Sequence, residues 1–296
     1  MIVSPPEAWL YGPRSVIGCE WADGLFWHDG YRVTLALQKV TAPNLCEGSE
    51  WVVVDQDALA EQVARIAVGQ YRQVSKILLG AEAPAAKVTQ AAKKDAIALL
   101  SLKLDEKPWH RDGWMFQAIS WIAAHNDGGV AIRAPHLIKA HKGFDGLKLE
   151  LSDAGEVIAV VVFEDKATEN PRATIRDDVW PGIARLEQGE RSNELGQEVS
   201  ALLETQLRSF PDLDVDAAVQ EIAWKEARRY RVAITVDKSH ATAEPRMALF
   251  KDFDSYAPGD NTRRRAETMF VPDLRPWMQA FANLVIAKVN GLPDDV

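Results

Sequence analysis

The sequence predicts an α/β fold, and three observations predict it. Helical, amphipathic stretches alternate with short β-branched runs along the 296 residues. The run Val157–Lys166 is apolar on both of its alternating faces as far as Val162, the pattern of a central strand covered on both sides. The run 144–151 precedes it across Ser152-Asp153-Ala154-Gly155, so the two read as a β-hairpin.

The elements follow in order. Residues 1–105 form an N-terminal α+β lobe of unassigned role, with strands at 32–37 and 51–54. Asp57 reads as the N-cap of a helix carrying Leu59, Val63, Ile66, Val74 and Ile77, with Glu61 and Arg65 paired one turn apart. A second helix spans about 84–102, and Asp105-Glu106-Lys107-Pro108 marks a boundary. The unit 106–240 opens with an apolar helix at 114–125, stopped by Asn126-Asp127-Gly128-Gly129. A short strand at 130–133 and the hairpin come next, and Asn170-Pro171 breaks the chain. Thr174 and Asp177 resemble a capping box for a helix with Ile175, Val179, Ile183 and Leu186 on one face, kinked at Pro181-Gly182. Helices at 193–208 and 216–229 lead to a strand at 230–236. The extension 241–296 ends in a helix at 277–289.

Composition narrows the function. With 47% hydrophobic and 26% charged residues the chain is neither disordered nor membrane-spanning in character. Cys19 and Cys46 are too few for a disulfide framework or a four-cysteine zinc site. The start MIVSPPEAWLYGPR lacks a basic segment followed by an apolar run, so the expected location is cytoplasmic. A net charge of -9 argues against a free-standing duplex binder and leaves room for a partner that delivers the polymer. Seven of the 10 tryptophans lie in the first 121 residues; core and subunit packing is expected of them, because the surroundings of Trp21 and Trp27 are acidic. His110, His125, His136 and His141 read as surface or helix-end residues. Asp212-Leu213-Asp214-Val215-Asp216 resembles half a calcium loop, but Ala217 and Ala223 stand where Gly and Glu are needed, so Asp216 is expected to cap a helix. No phosphate-binding glycine loop occurs, and any ATP hydrolysis would belong to a partner.

The chemistry concentrates in 144–166. Glu164 and Lys166 continue the row of Ile158, Val160 and Val162, setting a carboxylate and an ammonium at its mouth. Charges there need a partner or a metal. Hairpin symmetry brings Asp145 beside residues 162–164, and Gly146 would let a ligand approach the backbone. Two converging carboxylates suit Mg²⁺ or Mn²⁺, and an adjacent lysine can orient a water for attack on a phosphodiester. Arg228-Arg229-Arg231 and Arg263-Arg264-Arg265 are candidates for tracking a phosphate backbone, the second beside an exposed Gly259-Asp260-Asn261 loop. Lys142, Arg172 and Arg176 flank the motif and are the stronger nucleic-acid-binding candidates.

Asp145 followed by Glu164-Asp165-Lys166 resembles the D-(x)n-(D/E)-x-K signature of the PD-(D/E)XK nuclease superfamily, over about residues 110–237. The resemblance implies a restriction-endonuclease-like αβββαβ core and an Mg²⁺- or Mn²⁺-dependent endonuclease cleaving DNA. It implies Asp145 and Glu164 as metal ligands, the Asp165 backbone carbonyl as a further ligand and Lys166 as the catalytic lysine. Such nucleases often carry a glutamate on the first helix; 114–125 holds no acid, and Gln117 is its nearest polar candidate. Length and layout are also similar to the nuclease subunit of the Hachiman antiphage systems. That similarity implies a defence effector controlled by a helicase/ATPase partner, in a homo- or hetero-oligomer. A non-catalytic adaptor docking through its Trp-rich half and an RNA-cleaving, toxin-like enzyme remain as alternatives.

Overall fold

The computed structural model describes residues 20–22, 25–28, 31–81, 83, 86–128, 131–152, 156–207, 215–222 and 227–295. Three short antiparallel strands, β1 (Glu20–Ala22), β2 (Leu25–His28) and β3 (Tyr31–Arg32), precede the main body. That body is a seven-stranded mixed sheet built from β4 (Leu35–Ala42), β5 (Cys46–Val53), β6 (Ala131–Ile132), β7 (Gly146–Leu151), β8 (Val157–Lys166), β9 (Arg228–Val236) and β10 (Arg264–Phe270). Their order is β4-β5-β10-β9-β8-β7-β6. The middle four strands, β5, β10, β9 and β8, run parallel; β4, β7 and β6 run antiparallel to their neighbours. The α/β class is therefore borne out, and β5 from before residue 105 pairs directly with β10 from after residue 240.

Helices cover both faces. On one side α1 (Gln56–Ala67), α4 (Trp109–Asn126) and α11 (Leu274–Gly291) pack Leu59, Phe116, Ile119 and Phe281 around Trp51 and Met269 of the sheet. On the other, α6 (Trp180–Glu187) and α7 (Ser192–Gln206) close over Leu149, Val160, Val162 and Val232. Val161 and Phe163 point the opposite way, against Ala124 of α4. β8 is thus the central, twice-covered strand its pattern predicts. Ile158 departs from the row at 52% exposed, where the β7–β8 register slips between Glu150 and Leu151.

Several boundaries differ from the sequence expectation. β4 and β5 occupy 35–42 and 46–53, because the polar Gln38, Lys39 and Thr41 belong to an edge strand. The first helix is capped by Asp55, which accepts from Ala58 N at 3.0 Å, and Asp57 lies inside it. It ends at Gly69, whose φ of 85° is a left-handed conformation glycine adopts without strain; a separate helix, α2, spans Tyr71–Leu78. α3 (Gln90–Leu100) starts later than 84, capped by Thr89. α4 begins at Trp109, ahead of 114, because the polar Arg111-Asp112 pair is buried within it and ion-paired at 2.8 Å. No capping box forms at Thr174: α5 (Pro171–Thr174) has already begun, and the Thr174 hydroxyl meets that of Thr168 at 2.9 Å. Pro181 produces not a simple kink but a π-helical turn, Ile175–Val179, which absorbs its missing N–H.

The helix expected at 216–229 is described as α8 (Val215–Ile222), and residues 228–229 belong to β9 instead. Asp216 sits in the first turn of α8, whereas Asp212 and Asp214 lie outside the described residues, as do Trp9 and Cys19. The terminal helix extends to both sides of 277–289. The sequence predicts no strand at β10, because its opening arginines read as a loop. Arg264 is in fact 2% exposed, its guanidinium spent on the backbone carbonyls of Ala257, Gly259 and Leu45. Arg263 is bound to Glu187, Arg228 to the Leu186 carbonyl, Arg229 and Arg265 to Glu150 and Asp127 respectively, and Arg231 to Glu267. Both arginine runs are thus engaged with carboxylates and backbone carbonyls rather than forming a solvated basic face. Trp51, Trp114 and Trp121 are core residues, while Trp109 is 52% exposed. Among the described residues no helix is long and apolar enough to cross a membrane.

His125 is a helix-end residue, but a buried one. Its Nδ1 lies 3.0 Å from the Trp121 carbonyl and must donate there, which makes Nε2 the acceptor for the Ser75 hydroxyl at 3.1 Å. Burial, opposed by the Trp121 bond and aided by the Lys148 charge, lowers its pKa from 6.5 to about 4. Between those values the unfolded chain binds the proton and the folded chain does not, so stability is complete above 6.5 and declines as pH falls toward 4. Urea unfolding at pH 7.5 and 5.0 is expected to show a loss about 2 kcal/mol smaller in His125→Gln than in the parent chain. Equal losses would contradict the assigned tautomer and burial.

Candidate active site

β7 and β8 pair antiparallel with Gly146 opposite Phe163, which sets Asp145 across from Glu164 at the open end of the pair. The glycine after Asp145 serves the fold more than a ligand: a Cβ there would lie 2.5 Å from the Phe163 ring. Glu164 and Lys166 share the face of Val160 and Val162, and Lys166 bends back over both acids. Its Nζ lies 2.9 Å from Asp145 Oδ2 and 3.0 Å from Glu164 Oε2, which keeps those two oxygens less than about 6 Å apart.

Asp145 is fully engaged. Oδ2 also accepts the Asp165 backbone N–H at 2.9 Å, and Oδ1 accepts Gln117 Nε2 at 2.7 Å. Gln117 of α4 therefore reaches the site, whereas the acid of that helix, Asp112, is paired with Arg111 and Arg275. Within a strand a residue's N–H and C=O point the same way, so the Asp165 carbonyl also faces the Asp145 side. The Asp165 carboxyl points to the opposite face. There Ser120 donates to it at 2.7 Å, Arg231 donates to Ser120 at 2.9 Å and to Glu267 at 2.6 Å, and the guanidinium lies over the rings of Phe163 and Trp51.

Burial dominates the electrostatics. It raises the Glu164 pKa, with the Asp145 charge adding to the effect and Lys166 opposing it. It also pushes Asp165 up to about 7, against the pull of Arg231. Burial alone would discharge Lys166, but Glu164 and Asp145 override it, and the ammonium stays firmly protonated.

The flanking cations fare differently. Lys142 lies on the exposed bend three residues before Asp145. Arg172 is turned to the carbonyls of Leu249 and Lys251 and to Asp252, and Arg176 is exposed and bound to its neighbour Asp177. None of these bonds reaches Asp145, Glu164 or Lys166. Arg191, which carries no motif in the sequence, is close enough for its charge to act on both acids. Among the described residues no group of three or more His, Cys, Asp and Glu side chains is placed to hold a metal; the side-chain acids at this site are two. No protein-family model matches the chain, and no curated protein matches it either.

Proposed function

We propose that the chain is an Mg²⁺- or Mn²⁺-dependent endonuclease acting on DNA phosphodiester bonds. The observation that carries this reading is the single ammonium of Lys166 held between the Asp145 and Glu164 carboxylates at one end of β7 and β8. The element order supports it: α4, then β6, β7 and β8 antiparallel, then the α5–α6 segment, then β9 parallel to β8, is the αβββαβ order the resemblance implies.

The donor set fits a hard cation. Two carboxylates and the Asp165 carbonyl are all oxygen donors, and water can complete an octahedron. When bound, such a cation stabilises the charge that builds on a phosphoryl group during displacement. The remaining work falls to the side chains. Gln117 and the Asp165 N–H hold Asp145 in a fixed orientation. Lys166 spends two donors on the acids and has a third for an attacking water or a phosphate oxygen. Because it is held protonated, it serves as a cationic donor rather than a base at neutral pH. In keeping with the acidic charge of -9, we place the enzyme under a helicase/ATPase partner that delivers DNA, as an antiphage effector.

The test is an incubation of the purified chain with DNA, and with RNA of the same sequence, in Mg²⁺, in Mn²⁺ and in chelator. DNA cleavage in either metal, abolished by chelator, is the expected result. Cleavage of RNA alone would overturn the substrate assignment, and cleavage indifferent to chelator would overturn the metal dependence.

A further inference from the structure

We infer that Arg191 is a phosphate-binding residue of this site, gripping the polynucleotide backbone beside the bond that is cut. The inference rests on the nuclease reading for the bond cut, but not for the binding itself.

Arg191 is held in place with unusual firmness for a half-exposed cation. It joins α6 to α7 in the Gly189-Glu190-Arg191 turn with φ of 60°, a left-handed conformation that strains any non-glycine residue. Its guanidinium lies over the ring of Phe144, 4.1 Å from the centroid, and Phe144 is the residue before Asp145. Two parallel bonds to Glu194, at 2.8 and 2.7 Å, and one to the Lys142 carbonyl at 3.3 Å fix its plane. The loop that delivers Asp145 is therefore the floor on which this guanidinium rests. Among the described residues Nη1 donates no hydrogen bond, so one edge of the planar fork stays available to an oxyanion.

The chemistry asks for such a group. A phosphate approaching Asp145 and Glu164 meets two acids against the one ammonium of Lys166. A second fixed cation offsets that repulsion, and the Arg191 charge already acts on both acids. Arg172, Arg176 and Arg191 are each paired with a carboxylate, at Asp252, Asp177 and Glu194, but Arg191 is the one whose charge reaches Glu164 and Asp145. Arg133 braces the same loop, donating to the Phe144 carbonyl and pairing with Glu198, and the exposed Lys142 adds a positive charge to its rim.

The experiment is a duplex-binding titration of the full chain by fluorescence anisotropy in chelator, where no cleavage occurs, over a range of salt, with parallel steady-state cleavage in Mg²⁺. Arg191→Gln is expected to weaken binding about 10-fold and to flatten the salt dependence by about one phosphate contact. In cleavage KM should rise more than kcat falls. Arg191→Lys should recover the salt slope and only part of the affinity. Arg191→Gly loses the same contacts as Gln but relieves the left-handed strain, so its thermal midpoint should lie above that of Arg191→Gln while it binds as poorly; a purely structural arginine would not separate the two readouts. Parental affinity and salt slope in Arg191→Gln, or no binding by the parent chain even at the lowest salt, overturn the inference. Because binding is read without metal or turnover, that result would leave the nuclease reading untouched, and failure of cleavage would leave this one standing.

Discussion

Glu164→Gln and Lys166→Met will each fold and will each lose Mg²⁺-dependent cleavage, by about 10²–10⁴-fold or more. Glu164→Gln keeps the shape and removes one charge from a site where burial already disfavours it, so thermal stability should hold or rise. Lys166→Met leaves Asp145 and Glu164 facing each other without the ammonium that bridges them. Its thermal midpoint should fall in chelator and recover in Mg²⁺, because a divalent cation replaces the missing positive charge. A lysine that merely pins a strand end would give a destabilised but active variant. Cleavage at the parental rate in both variants would contradict the assignment.

Arg231→Met is expected to be the most destabilising of the single changes, by about 3–5 kcal/mol in urea unfolding. Arg231 and Glu267 are 2% and 4% exposed, and their ion pair joins β9 to β10 in the middle of the sheet. The same guanidinium binds Ser120, which in turn holds the Asp165 carboxyl directly behind the end of β8 that carries Glu164 and Lys166. Removing it strands two buried acids at once. Arg231→Met combined with Glu267→Met should recover part of the loss, because the uncompensated charge leaves with its partner. A loss under about 1 kcal/mol in the single variant would show that the network is solvated rather than buried.

The contrast between these two clusters explains what the sequence reveals. Asp145, Glu164 and Lys166 were legible because hairpin symmetry and strand alternation are local rules, and β8 obeys both. Gln117 was legible only as the polar residue nearest a missing acid, and its bond to Asp145 gives it a role. The arginine runs at 228–231 and 263–265 look like solvated charge in one dimension. Their partners come from across the fold, Glu267 through the pairing of β9 and β10, Glu187 from the end of α6 and the carbonyls from Leu45 and Ala257, and local patterning does not encode them. β10 was missed for the same reason: a buried strand rich in paired charges has no apolar signature. Arg191 was invisible because its place depends on a left-handed turn and a ring brought in from another loop.

Calorimetric titration of Mn²⁺ into the metal-free chain tests the central claim most directly. The account predicts saturable binding at one site in the parent, loss of that binding in Asp145→Asn, and tighter binding in Lys166→Met, whose ammonium otherwise occupies the space between the acids. Absence of binding in the parent, or the same binding in Asp145→Asn, would contradict it.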